Sequence, residues 1–296
     1  MKIDVVLRAS PTIGESPTWF AAERAIYWID VKAPALYRLA LETQQQQSWN
    51  MPSDIGAFAL TAEGKGAVVA LREGLFTLDF ASGALTILAP PPFDPTLFRF
   101  NEGACDSHGR FWIGVMFDPL NKDERGRKEK SSLHSFTLAG GYRHEPDAAE
   151  LHNGMAWSPD ERFMYLSHTQ SGKIYRYAYD ARDGRISDRQ LFVTVPKDEG
   201  DPDGAAIDVD GGYWCALHGA SKVRRYHPDG SVDRDVVLPV SQPTKCTFGG
   251  DRLEDLYITS AADQLSPEQL RTEPLAGSIF RMRPQLPGCI QHVTVR

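Results

Sequence analysis

The sequence predicts an all-β fold of six similar units closed into a ring, a six-bladed β-propeller running as one domain over residues 1–296. Three observations predict it. Twenty-five glycines and 20 prolines cut the chain into short segments bounded by turns. Almost nothing carries the apolar period of a long helix. One pattern also recurs: a polar residue beside Gly or Ser, an apolar strand, a turn of Gly, Asp or Pro, and a second strand centred in most copies on an aromatic residue.

The first unit is GESPTWFAAERAIYWID from Gly14, centred on Tyr27. The second is IGAFALTAEGKGAVVAL from Ile55, centred on Val68. The third is NEGACDSHGRFWIGV from Asn101, centred on Trp112. The fourth, NGMAWSPDERFMYLSH from Asn153, is centred on Tyr165 and followed by a later strand, KIYRYAYD. The fifth, DGAAIDVDGGYWCAL from Asp203, is centred on Trp214 and continues into KVRRYHPDG, whose Pro-Asp-Gly marks a tight turn. The sixth is PTKCTFGGDRLEDLYITS from Pro243, centred on Tyr257. The centres lie 41, 44, 53, 49 and 43 residues apart, a period that with about four short strands per repeat describes a propeller blade. SPEQL from Ser266, with a Ser N-cap and Pro at the first helical position, predicts one helical turn.

Thirty-two Lys and Arg stand against 39 Asp and Glu, a net charge of −7. That balance argues against nucleic acid or an anionic membrane as partner. No apolar stretch approaches the ~18 residues of a membrane helix. The apolar run in MKIDVVLRAS is too short for a signal peptide. Cys105, Cys215, Cys246 and Cys289 lack C-x-x-C spacing, and three lie in strand-like apolar segments. This predicts free buried thiols. A cytoplasmic enzyme or binding protein is expected.

In a propeller the first strand of each blade lines the central channel. Counting back 11 or 12 residues from each centre reaches Glu15, Asn101, Asn153, Asp203 and Lys245, and in the second blade Gly56, which is expected to open space. Converging carboxylates repel unless a cation lies between them. An all-oxygen set suits a hard divalent ion, Ca2+, Mg2+ or Mn2+ before Fe2+, with Zn2+ least natural. Glu199, Asp201, Asp203, Gly204 and Asp210 meet part of the spacing of a helix-flanked calcium loop. The flanks are strand-like and the last position lacks Glu, so that reading is set aside.

Five segments, GESPTW, RFNEGACDSHGRFWIGVM, NGMAWSPD, DPDGAAIDVDGGYW and PTKCTFGGDRLEDLYITSA, together resemble the senescence-marker-protein/gluconolactonase family, which includes regucalcin and sugar lactonases. The likeness runs from about Gly14 to about Arg283. The resemblance implies a six-bladed propeller with one divalent metal in the channel, ligated by Glu15, Asn153 and Asp203. It implies substrate contact by Arg99 and Asn101, of which Arg99 rests on the resemblance alone. It further implies metal-dependent hydrolysis of an aldonolactone, such as gluconolactone, xylonolactone or arabinonolactone, with Ca2+, Mn2+, Mg2+, Zn2+ or Fe2+ as cofactor. In that chemistry Asp203 is the general base, and Lys245, taken from the ring, is a further donor to substrate.

Two other classes are open: a non-catalytic Ca2+-binding regulatory propeller and a metal-dependent phosphotriesterase-type hydrolase. Arg99 and Asn101 favour an enzyme, because a buffering site needs no guanidinium beside its cation. No G-x-S-x-G elbow is present. The chain departs from the family at three places. Glu102 stands where Asp is frequent, and strand alternation predicts that it faces away from Asn101. His168 stands where an acidic residue is common. Asp118 lies one residue out of register with an acidic substrate contact. Residues 117–132 and 197–202 are expected to form the lid.

Overall fold

The computed structural model describes residues 2–8, 12–124 and 126–296. Its sheets follow the six repeats. From the channel outward, the first blade runs Gly14–Phe20, Ala25–Asp30, Ala35–Ala40 and Gln46–Asn50. The innermost strands of the next five are Ile55–Thr61, Phe98–Cys105, His152–Trp157, Asp201–Ile207 and Pro243–Gly249. Each innermost strand touches the next in chain order, and the sixth touches the first, so the ring is closed.

Every predicted centre lies on the second strand of its blade, and all six side chains are buried. They pack between neighbouring sheets: Tyr27 of the first blade sits with Phe58, Leu60 and Val69 of the second. The turn after the innermost strand explains the D-x-x-G-x-x-W pattern of the third and fifth blades. One carboxylate oxygen of Asp106 accepts from the amides of His108 and Arg110, and the other from Trp112 Nε1 at 3.0 Å. Asp208 does the same with Asp210, Gly212 and Trp214 Nε1 at 2.8 Å. One aspartate therefore closes the turn and satisfies the buried indole.

The expected helix is present as Pro267–Thr272, with Ser266 as N-cap and Gln269 completing a capping box. The four cysteines are free, three buried and Cys289 partly so. Asp203 lies within a strand rather than a helix-flanked loop. No helix among the described residues is long and apolar enough to cross a membrane.

Two features lie outside the repeat pattern. The sixth blade takes its outermost strand from the other end of the chain, Ile3–Leu7 pairing antiparallel with Ile279–Met282. At the end of the channel opposite the polar ring, Gly288 bridges to Asp208 and His292 to Cys105. Thr294–Val295 then pairs parallel with Leu60 and Thr61. This tail floors a mostly apolar cavity of about 430 Å³. Because Ile3–Leu7 both covers a sheet edge and ties the ring, deletion of residues 1–7 is expected to lower the melting temperature and cause concentration-dependent aggregation, read by thermal unfolding and light scattering.

Candidate metal centre and substrate pocket

Each innermost strand slips register against its neighbour at the same place. The shifts lie between Glu15 and Thr18, Ile55 and Ala57, Phe100 and Gly103, Asn153 and Ala156, Pro202 and Ala205, and Pro243 and Cys246. A bulge breaks strict alternation and re-aims side chains. Asn101, Asp203 and Lys245 lie inside these bulges, and Glu15 and Asn153 at their edges. The structure thus brings the five polar ring residues to one end of the channel.

Two expectations are corrected here. Alternation predicts that Glu102 turns away, but the bulge turns it into the channel, against the fourth blade's strand, where Lys245 reaches it from the sixth. Its carboxylate accepts from Gly154 N at 2.7 Å, Met155 N at 2.9 Å and Lys245 Nζ at 2.9 Å. Third and sixth blades face each other in a six-membered ring, so this buried pair spans the axis. Gly56 does not open space for a ligand: a Cβ there would collide with the Phe100 carbonyl of the next blade. Its missing side chain lets two backbones approach. Lys245 also donates to Gly103 O at 3.4 Å, which leaves one N–H of its ammonium for a ligand.

A directed chain of hydrogen bonds orients the amides. Arg99 Nη1 donates to Asn101 Oδ1 at 3.2 Å, and Asn101 Nδ2 to Asn153 Oδ1 at 2.8 Å. Asn153 Nδ2 donates to Thr169 Oγ1 at 2.9 Å, and that hydroxyl to Pro202 O at 2.8 Å. With its nitrogen committed to Thr169, Asn153 presents its oxygen to the channel, with a lone pair left for a further partner. Gly154, at φ 62°, makes room for this: a Cβ would strike Ser167 Oγ and the Tyr213 hydroxyl. Sequence reading had no signal for Thr169, whose role depends on the strand ends that meet there.

Glu15 and Asp203 stand out electrostatically. Burial pushes Glu15 up to about 7, and Glu102 adds to this against the pull of Lys245, the Ser16 amide and Arg99. Burial, then repulsion from Glu15 and Glu102, pushes Asp203 well above the ordinary carboxylate range, against Lys245. Lys245, the cation that acts most strongly on both, is already paired with Glu102. Two carboxylates in want of a counter-charge, beside an oriented amide oxygen, are a donor set suited to a hard divalent cation.

The sign of the pH dependence follows. Glu15 has a folded pKa above its ordinary 4.5, so between those values the cation-free native state holds more protons than the unfolded chain. Its stability then falls as pH rises through that window. The melting temperature of chelator-treated protein is expected to drop by several degrees between about pH 5 and about pH 8, and saturating Ca2+ to remove the drop, because the cation replaces the protons.

Arg99 belongs to a second cluster. Its Nε lies 2.9 Å from Asp118 Oδ2, which also receives Lys32 Nζ and Arg72 Nη2, each at 2.9 Å. Lys32 and Arg72 also reach Asp54. Burial pushes Asp118 up, and Arg99, Lys32 and Arg72 overcome it and hold the carboxyl down to about 2. Asp118, one residue out of register in sequence, is therefore the anchor of Arg99. Lys32, Asp54 and Arg72 were not legible, since they come from the first and second blades. Arg99 Nη1 is committed to Phe100 O and Asn101 Oδ1; Nη2 has no partner among the described residues. His168, at the end of its strand, binds Asp147 rather than the ring.

Residues 13–262 match the model of the SMP-30/Gluconolactonase/LRE-like region. The chain is 36% identical over 287 residues to the 6-deoxy-6-sulfogluconolactonase of Pseudomonas putida, covering 97% of this chain and 96% of the relative. It is 30% identical over 283 residues to regucalcin of Xenopus laevis, covering 95% and 94%. The crystal structure of the calcium-binding protein regucalcin from Agrobacterium tumefaciens superposes with a TM-score of 0.88 at 26% identity, over 98% of this chain and 96% of that one. With the propeller, the ring and these matches in agreement, the chain belongs to the SMP-30/gluconolactonase/LRE-like family.

Proposed function

We propose that this protein is a cytoplasmic, metal-dependent lactonase that opens an aldonolactone, such as gluconolactone, xylonolactone or arabinonolactone, to its aldonic acid. The observation that carries this reading is the convergence of two under-compensated carboxylates, Glu15 and Asp203, with the Asn153 oxygen. Arg99 and Asn101 stand beside them. Relatives named for sulfogluconolactone hydrolysis and for calcium binding support it.

Glu15, Asn153 and Asp203 would hold the ion. A divalent cation bound there supplies Lewis-acid polarisation of the lactone carbonyl. Asp203, through the carboxylate oxygen it does not give to the ion, takes a proton as the water oxygen bonds to the carbonyl carbon. It returns that proton to the ring oxygen as the acyl C–O bond breaks, so the sum is lactone plus water to hydroxy acid. Arg99, clamped through Nε by Asp118, offers Nη2 to the carbonyl or a ring hydroxyl. Asn101 fixes a hydroxyl or the water, and Lys245 has one N–H for the substrate.

The test is acid release by chelator-stripped protein resupplied separately with Ca2+, Mn2+, Mg2+, Zn2+ or Fe2+. The substrates are gluconolactone, xylonolactone, arabinonolactone, galactonolactone and 6-deoxy-6-sulfogluconolactone, with a phosphotriester as control and spontaneous opening subtracted. A cation-dependent rate on a lactone supports the reading. Turnover of the phosphotriester alone makes the protein a phosphotriesterase, and cation binding without turnover makes it a binding propeller.

A further inference from the structure

Between the third and fourth blades, behind Asn153, lies a cluster the lactonase chemistry does not use. Asp147 Oδ1 is 3.0 Å from His152 Nε2 and 2.8 Å from His168 Nε2. The three ligand atoms lie within 4.8 Å of one another, and the imidazole planes cross at 86°. The Asp147 and His152 side chains are fully buried, while that of His168 is 11% exposed and gives the cluster its opening.

Both ring nitrogens of His152 face acceptors. Its Nδ1 faces the Val115 carbonyl at 3.3 Å and its Nε2 faces the carboxylate. Both are acceptors, and a neutral imidazole has one N–H. If Nδ1–H serves Val115, a bare Nε2 lone pair points at a carboxylate oxygen with nothing positive between. An ion held between Nε2 and Oδ1 leaves Nδ1–H for the Val115 carbonyl and gives each of these atoms a partner. The surroundings have the form of an outer metal shell. The Val115 carbonyl stands where it accepts from Nδ1–H once Nε2 is bound to an ion, and the Tyr177 hydroxyl and Arg189, at 3.5 Å, engage Asp147 through Oδ2. Oδ1 is thereby turned to the histidines. Ligands bonded tetrahedrally at about 2.0–2.1 Å sit about 3.3 Å apart, so the observed 2.8 and 3.0 Å spacings need only a small opening.

We propose that Asp147, His152 and His168 form a second metal site, distinct from the all-oxygen ring. It takes a borderline ion of the Zn2+ or Co2+ class through two neutral imidazole nitrogens and one carboxylate oxygen, with water as fourth ligand entering past His168. Two nitrogens and one oxygen select such ions over Ca2+ or Mg2+. Loading releases whatever protons the two Nε2 atoms carry. The site does not depend on the lactonase reading.

The test uses full-length protein labelled with 15N-histidine, stripped with chelator and titrated with Co2+ alone. Paramagnetically shifted imidazole N–H signals, including Nδ1–H of His152, are expected to appear. They should persist in Asp203→Asn, vanish in His168→Asn and need about 10- to 100-fold more Co2+ in Tyr177→Phe, which removes only the hydroxyl that orients Asp147. Should His168→Asn fail to fold, Tyr177→Phe still decides. Unshifted His152 and His168 resonances in excess Co2+ would overturn the proposal in favour of a metal-free hydrogen-bonded His–Asp cluster. So would a Tyr177→Phe titration identical to wild type.

Discussion

Asp203→Asn is expected to lower lactone turnover by at least about 100-fold and to weaken divalent-cation binding along with it. The amide keeps the side chain's size and one oxygen, but it accepts no proton and brings no negative charge. A second consequence separates this from a merely damaged fold. Asp203 is repelled by Glu15 and Glu102, so neutralising it relieves the cation-free protein. The melting temperature of the chelator-treated variant is therefore expected to match or exceed that of equally treated wild type, while its response to Ca2+ shrinks. Thermal unfolding with and without Ca2+, beside a steady-state assay, reads both. A near-wild-type rate would remove Asp203 from the chemistry.

Lys245→Met is expected to destabilise the protein by about 3–5 kcal/mol, the cost of leaving one member of a buried ion pair without its partner. Glu102 is 1% exposed and Lys245 7%, so water cannot take over. The two amides of Gly154 and Met155 remain on Glu102 but carry no full charge. The loss is also felt by Glu15 and Asp203, for which Lys245 is the main opposing cation. Adding Glu102→Leu to Lys245→Met should recover part of the stability, since no buried charge is then unmatched. Denaturant unfolding of the two singles and the double closes the cycle. A Lys245→Met midpoint equal to wild type would contradict the pairing across the channel.

The fold was legible because each blade repeats a local physical unit. Tyr27, Trp112, Tyr165, Trp214 and Tyr257 mark the second strands as large side chains filling the gap between sheets, and a constant offset from them reaches the channel. The offset found Glu15, Asn101, Asn153, Asp203 and Lys245 together. Strand Ile3–Leu7 escaped because it lies before the first repeat, and the tail floor because it pairs with strands far away in sequence. Glu102 was misread because alternation assumes an unbroken ladder, and six bulges break it at the level of the site. Asp118 was seen but not connected, since its three cationic partners come from separate blades. The Asp147–His152–His168 cluster left no spacing signature, because its members occupy three different strand positions that meet only at a blade interface.

The account rests on Glu15, Asn153 and Asp203 holding one cation on the propeller axis. Crystals soaked in Mn2+ and measured for anomalous scattering test this most directly. The expected result is a peak bonded to the carboxylate oxygens of Glu15 and Asp203 and to Asn153 Oδ1, at distances of about 2.0–2.6 Å. A map with no anomalous peak there, the three side chains keeping their apo positions in saturating Mn2+, would contradict it.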